Sequence, residues 1–291
     1  MTCSLVDRGP RVNRMLYGTP VSLVLPSTPH DLAAAYLELV DAEAPGLVVG
    51  LYLTGSVALG EFRPHRSDVD FVAVLAAPAE AAALAALGRV HACLNARWRR
   101  PAFEGVYLTW HDLERDPAAC GPMPYAYERR FVEAGRFELS PVTWATLARH
   151  GLRVRGPRPG SVGIRDDRAA LEAWTRENLG SYWRPWLARA SRPASRAGLA
   201  SLRPWATEWG VLGVTRLHYT LTAGEIASKY GAGLYAMRRF PLRWHRIVVE
   251  ALRIRRGDRG RSGYGTPLGR RREMLAYVGM VIEDALALPP R

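Results

Sequence analysis

The stretch LTGSVALGEFRPHRSDVDF, residues 53–71, constrains this chain more than any other. An apolar run, LVVGLYL, ends at a Gly-Ser pair, and two aspartates one residue apart open a second apolar run, VDFVAVL. Short apolar runs bounded by turn residues read as buried strands. Side chains at i and i+2 of a strand share a face, so Asp68 and Asp70 are expected to project side by side. Two carboxylates aimed at one point suit a hard divalent cation such as Mg²⁺, which takes oxygen ligands and brings substrate phosphates with it. Gly55 lets a ligand approach the backbone, and Ser56 opens a helix whose N-terminal amides can receive a phosphate. The turn over 60–67 joins cradle and metal ligands. Phosphate beside metal describes nucleotide chemistry.

Around this stretch the pattern alternates. Residues 31–46, DLAAAYLELVDAEAPG, read as a helix stopped by Pro45 and Gly46. Residues 69–75 form a second strand, 78–98 an alanine-rich helix with Pro78 in its first turn, and 103–110, FEGVYLTW, a third strand. The Gly/Pro-rich segment 151–167 marks a boundary near residue 157. Beyond it nearly everything reads helical, including 167–190, 208–231, 241–257 and 271–288. The expected fold class is α+β: a small mixed sheet with helices over 1–157, then an all-helical bundle over 158–291.

Charge narrows the partners. The chain carries 40 Lys and Arg against 27 Asp and Glu, a net charge of +13, yet Lys229 is its only lysine. An arginine bias of this kind accompanies GC-rich coding, and no run of five basic residues appears, so no nucleic-acid partner is expected. No stretch of about 18 apolar residues suggests a membrane span. Residues 1–8 lack the layout of a signal peptide, and Cys3, Cys93 and Cys120 share neither disulfide nor metal-ligand spacing. A cytoplasmic monomer is expected.

The combination GSVALGEFRPHRSDVDF, with an apolar strand on each side, resembles the nucleotidyltransferase superfamily signature: Gly-Ser, a Gly four residues on, then Asp-x-Asp. The resemblance extends to AGRFELSPVTWATLARHGLRVRGP (134–157) and GVLGVTRLHYTLTAGEIASKYGAGLYAMRRFP (210–241). Over most of residues 45–245 the chain looks like the aminoglycoside (3'')-adenylyltransferase family with its DUF4111-type C-terminal domain. Members transfer AMP from MgATP to a hydroxyl of streptomycin or spectinomycin, between a nucleotidyltransferase domain and a helical bundle.

By position, the resemblance implies that Asp68 and Asp70 hold Mg²⁺. Glu104, which follows the helical crossover, supplies the third carboxylate and takes the proton from the attacking hydroxyl. Gly55, Ser56, Ser67, Arg216 and Lys229 bind ATP. A lone ammonium in an arginine-rich chain is itself suggestive, because a compact point charge suits a phosphate. Tyr127 stands where relatives carry a Trp that packs on the aminoglycoside. Among the acidic residues of the second half, Glu208 is the candidate for a cationic acceptor. Two other readings share parts of the pattern: transfer to a tRNA end or a protein hydroxyl, and nucleotide binding without catalysis. No separate RNA-binding module supports the first, and the intact carboxylate set argues against the second.

Overall fold

The computed structural model describes residues 28–290; Cys3 and residues 1–8, read above for the absence of a signal peptide, lie outside the described residues. Pro29–Glu43 (α1) begins at a capping box: the Thr28 hydroxyl accepts from the Asp31 amide while the Asp31 carboxylate accepts from the Thr28 amide. Val48–Leu53 (β1) and Val69–Leu75 (β2) each bury all but one residue and pair antiparallel, Leu53 opposite Phe71. Between them Gly55–Ala58 (α2) makes one helical turn. Ala81–Arg97 (α3) then crosses over to Phe103–Leu108 (β3), which lies parallel to β2, as parallel neighbours require.

Trp110–Leu113 (α4) leads to a hairpin of Met123–Tyr127 (β4) and Arg130–Gly135 (β5). Pro141–His150 (α5) and Leu152–Arg155 (β6) follow, and the six described strands run in the order β5-β4-β3-β2-β1-β6. The sequence reading named only the three central strands. β5 and β6 are the sheet's edges and expose polar residues, so they lack the apolar runs that announce a buried strand.

Tyr36, Phe71 and Phe103 pack on the α1 and α3 side of the sheet, and Tyr52, Val72, Val106 and Trp144 on the other. Burying a Phe, Leu or Val of this kind contributes about 1.5–3 kcal/mol each. Inside the first cluster His91 Nε2 and the Tyr107 hydroxyl lie 2.7 Å apart, and Tyr107 meets Tyr36 at 2.9 Å.

The rest is helical: Arg168–Asn178 (α6), Arg184–Ser191 (α7), Arg196–Ala200 (α8), Pro204–Ala223 (α9), Lys229–Arg239 (α10), His245–Arg256 (α11) and Pro267–Ala287 (α12). α9 is the centre, and α10, α11 and α12 pack around it. The helical reading of 208–231 breaks at Gly224, whose φ of +73° closes α9 through a bond from its amide to Thr220 O. Ser228 caps the new helix by accepting from the Gly231 amide, and Lys229 is its first residue.

Sheet and helices meet through Leu59, Val142, Ala145, Leu171 and Ile226. Arg149 ties α5 to the helical side, donating to Asp166 and to Gly224 O at 2.6 Å each. Among the described residues no helix is long and apolar enough to cross a membrane.

Candidate active site

Strand register gathers the carboxylates. Asp68 precedes β2, Asp70 is its second residue, and Glu104, the second residue of β3, is the parallel partner of Asp70. Glu138 joins them from the segment before α5, at a φ of +57° unusual for a residue with a Cβ, while its Oε2 accepts from Thr143 Oγ1 at 2.6 Å. All four line a cleft of about 520 Å³ between sheet and helices.

Burial, then repulsion from Glu138, Asp68 and Glu104, pushes Asp70 up to about 7. Burial, then Asp68, pushes Glu104 up to about 7. Carboxylates clustered in this way repel one another, and a cation bound between them would relieve the repulsion. No group of three or more His, Cys, Asp or Glu among the described residues forms a metal cage by itself. Two carboxylates with positions left open fit Mg²⁺ that completes its shell with water and phosphate.

The Gly-Ser pair shapes the floor. At Gly55, φ is +55° and a Cβ would lie 1.8 Å from Asp70 Oδ2, so only glycine leaves Asp70 its place. Thr54 N–H donates to Asp70 O at 2.9 Å, and the Ser56 amide donates to the Asp70 carboxylate. The helix expected to open at Ser56 begins at Gly55 and is a single turn, and the Ser56 amide serves Asp70, which narrows the phosphate cradle expected there. The Ser56 hydroxyl is different: it lines the cleft, buried and without a partner. A phosphate oxygen would satisfy it.

Glu104 is oriented by backbone. Its Oε1 accepts from the Glu128 amide at 2.9 Å. Glu128 and Arg129, with φ of 45° and 62°, form a two-residue hairpin turn of the type that favours Asn and Gly. The Arg129 guanidinium offsets that strain by donating to Asn95 O and Arg99 O, both at 2.6 Å, at the end of α3.

Cations occupy the opposite wall. Arg216 on α9, Lys229 at the start of α10 and Arg255 near the end of α11 all line the cleft. Arg216 Nε donates to Ala227 O at 2.8 Å. Burial holds Arg216 and Lys229 below their ordinary values, while the Asp70 charge acts on both in the opposite sense. Ser67 also lines the cleft, and its hydroxyl accepts from Arg63 N and from Arg255 Nη2, each at 3.2 Å.

Two expected substrate residues are placed differently. Glu208 does not line the cleft; it is 8 % exposed, with its carboxylate 3.4 Å from Arg255 Nη1 and 3.6 Å from Arg66 Nη1. Its surroundings are cationic, which disfavours a cationic acceptor there. Tyr127 is 43 % exposed at the end of β4 and outside the cleft lining, but its ring lies 4.7 Å from that of Phe137, which does line it. Sequence reading missed Glu138, Phe137, Trp174 and Arg255. Glu138 and Phe137 sit in a loop before a Ser-Pro helix start, and Arg255 is one arginine among many, so only the fold singles them out.

A mixed sheet carrying neighbouring acidic residues at a helix-covered cleft fits a nucleotidyltransferase. Residues 36–131 match the nucleotidyltransferase domain family, and residues 196–266 match the family described as aminoglycoside adenylyltransferase, C-terminal domain. Together these matches support an aminoglycoside adenylyltransferase-like nucleotidyltransferase, a transferase enzyme. Its fold is similar to that of spectinomycin adenyltransferase AAD(9) from Enterococcus faecialis, solved with ATP and spectinomycin. The TM-score is 0.60 at 11 % identity, over 86 % of this chain and 99 % of that one. A search of curated protein sequences returns no match.

Proposed function

We propose that the protein transfers AMP from MgATP to a hydroxyl of a small cationic molecule of aminoglycoside type. The observation that carries this reading is the apposition, across one cleft, of Asp68, Asp70 and Glu104 with Arg216 and Lys229. Residues 1–157 would act as the nucleotidyltransferase domain and 158–291 as the helical domain that completes the cleft.

Asp68 and Asp70 would hold Mg²⁺, which supplies positive charge to the phosphates when bound. Arg216 and Lys229 would bind the triphosphate and stabilise the charge that develops on it, with the Ser56 and Ser67 hydroxyls beside them. Glu104 would accept the proton of the attacking hydroxyl, a role suited to a carboxyl held near neutrality and oriented by the Glu128 amide. The acceptor would enter past Phe137 and Trp174, with Tyr127 at the outer rim. That AAD(9) was solved with ATP and spectinomycin supports this pair of substrate classes.

Incubation of the purified protein with labelled ATP, Mg²⁺ and a panel of aminoglycosides tests the reading. Label transferred to one of the compounds is the expected result. Label appearing only in RNA or protein substrates, or in nothing, would reject the small-molecule acceptor.

A further inference from the structure

The position of Glu208 makes sense once the cleft is read as a nucleotide site, and the inference rests on that reading. Glu208 lies on α9 just behind the cation wall, between Arg66 from the sheet domain and Arg255 from α11. Arg66, Arg216, Lys229 and Arg255 line the cleft; Glu208 does not. Cations gathered in this way repel one another, and low-dielectric surroundings strengthen the repulsion. The influences on Lys229 show the proximity: Arg255 and Arg216 act with burial to discourage its charge, whereas Glu208 acts against them.

The contacts are also incomplete. At 3.4 and 3.6 Å the Glu208 pairs are longer than the 2.7–2.9 Å of a committed arginine–carboxylate fork. Arg255 is only 5 % exposed, yet its Nε has no partner. Its Nη2 reaches Ser67 Oγ, one residue before Asp68. A buried guanidinium left with an open donor at the cleft wall is prepared for a second anion.

We propose that Glu208 is the resident counter-ion of a polyphosphate site, offsetting Arg66, Arg255 and Lys229 while the cleft is empty and opposing the phosphates when they arrive. Its charge therefore stabilises the free protein and weakens the anion's grip. The two effects have opposite signs, which separates this role from packing and from acceptor recognition.

The test uses inorganic tripolyphosphate as the probe, with the full chain, in calorimetry at low salt. Glu208→Gln keeps an oxygen for Arg255 and Arg66 but removes the charge. The expected result is a lower melting temperature for the free protein and tripolyphosphate binding about tenfold tighter, a gain that shrinks at high salt. Arg255→Gln should bind tripolyphosphate more weakly than wild type. Unchanged or weaker binding by Glu208→Gln overturns the proposal, as does a raised KM for the acceptor with unchanged tripolyphosphate affinity. Should Glu208→Gln fail to fold, the double variant Glu208→Gln/Arg255→Gln removes no net charge. Its affinity is expected to exceed that of Arg255→Gln alone, and equality overturns the proposal. Wild-type protein that binds neither tripolyphosphate nor ATP would instead reject the nucleotide reading itself.

Discussion

Asp70 and Glu104 stand opposite one another in register, each the second residue of its strand, on the only described pair of strands in the sheet that run parallel. Parallel pairing brings both carboxylates to the same end of the sheet, where α2 leaves β1. Asp68, just ahead of β2, completes the group. A one-residue slip between β2 and β3 would turn one of the two to the other face of the sheet.

Asp68→Asn and Asp70→Asn should each abolish nucleotidyl transfer while leaving the fold intact. A neutral amide is a poor partner for Mg²⁺ in a two-carboxylate site. Circular dichroism should superpose on wild type. Wild-type turnover in either variant would remove that residue from the metal site.

Gly55→Ala should lose both stability and transfer. The added methyl meets Asp70 Oδ2, and the backbone there has a φ of +55°. An L-residue forced into such a conformation costs on the order of 1–3 kcal/mol. A thermal melt reads the first effect and an ATP-dependent transfer assay the second. An alanine variant as active and stable as wild type would contradict the close approach.

Glu104→Gln should still bind MgATP but turn over about 10²–10⁴ more slowly, the range for loss of a general base. Calorimetry with ATP and single-turnover kinetics separate the two quantities. Lost ATP binding would move Glu104 from proton acceptor to metal ligand.

Lys229→Ala should reduce kcat/KM for ATP about 10–100-fold, which is about 1.4–2.7 kcal/mol. Lys229→Arg should recover only part, because a planar fork does not replace a point charge. Full activity of the alanine variant would show that α10 makes no phosphate contact.

His91 gives the protein an acid-sensitive core. It is 2 % exposed, and burial lowers it from 6.5 to about 4. Because the unfolded chain takes up the proton more readily, this stability is complete above about pH 6.5 and is lost as pH falls towards 4. From pH 7 to pH 5 the loss should be about 2 kcal/mol. Denaturant titrations of wild type and His91→Gln check it: the variant should lose less between those pH values, and an equal loss would place the sensitivity elsewhere.

The central strands and the carboxylates were legible because both obey local rules. Buried strands are continuous apolar runs, and Asp68 and Asp70 belong to one short motif. Glu104 could be reached by adding one helical crossover. What stayed hidden depends on contacts between distant segments. Nothing in RFELSP distinguishes Glu138 from a solvated loop residue until the fold brings it into the cleft with Asp70. By sequence alone Glu208 is a candidate for a cationic acceptor, but two arginines from elsewhere in the chain flank it. The edge strands were missed for a related reason, since a strand with one solvent-exposed margin keeps a polar composition.

Lys229 is the first residue of α10, the end of a helix at which a cation is disfavoured by about 0.3–1 kcal/mol. An acidic residue there would strengthen the helix and remove a positive charge from the cleft wall proposed to bind the triphosphate. A library at position 229 ranked by melting temperature should therefore invert when ranked by ATP use. Selection for heat resistance alone would drive this site away from its proposed chemistry, and the lysine marks where the two demands part.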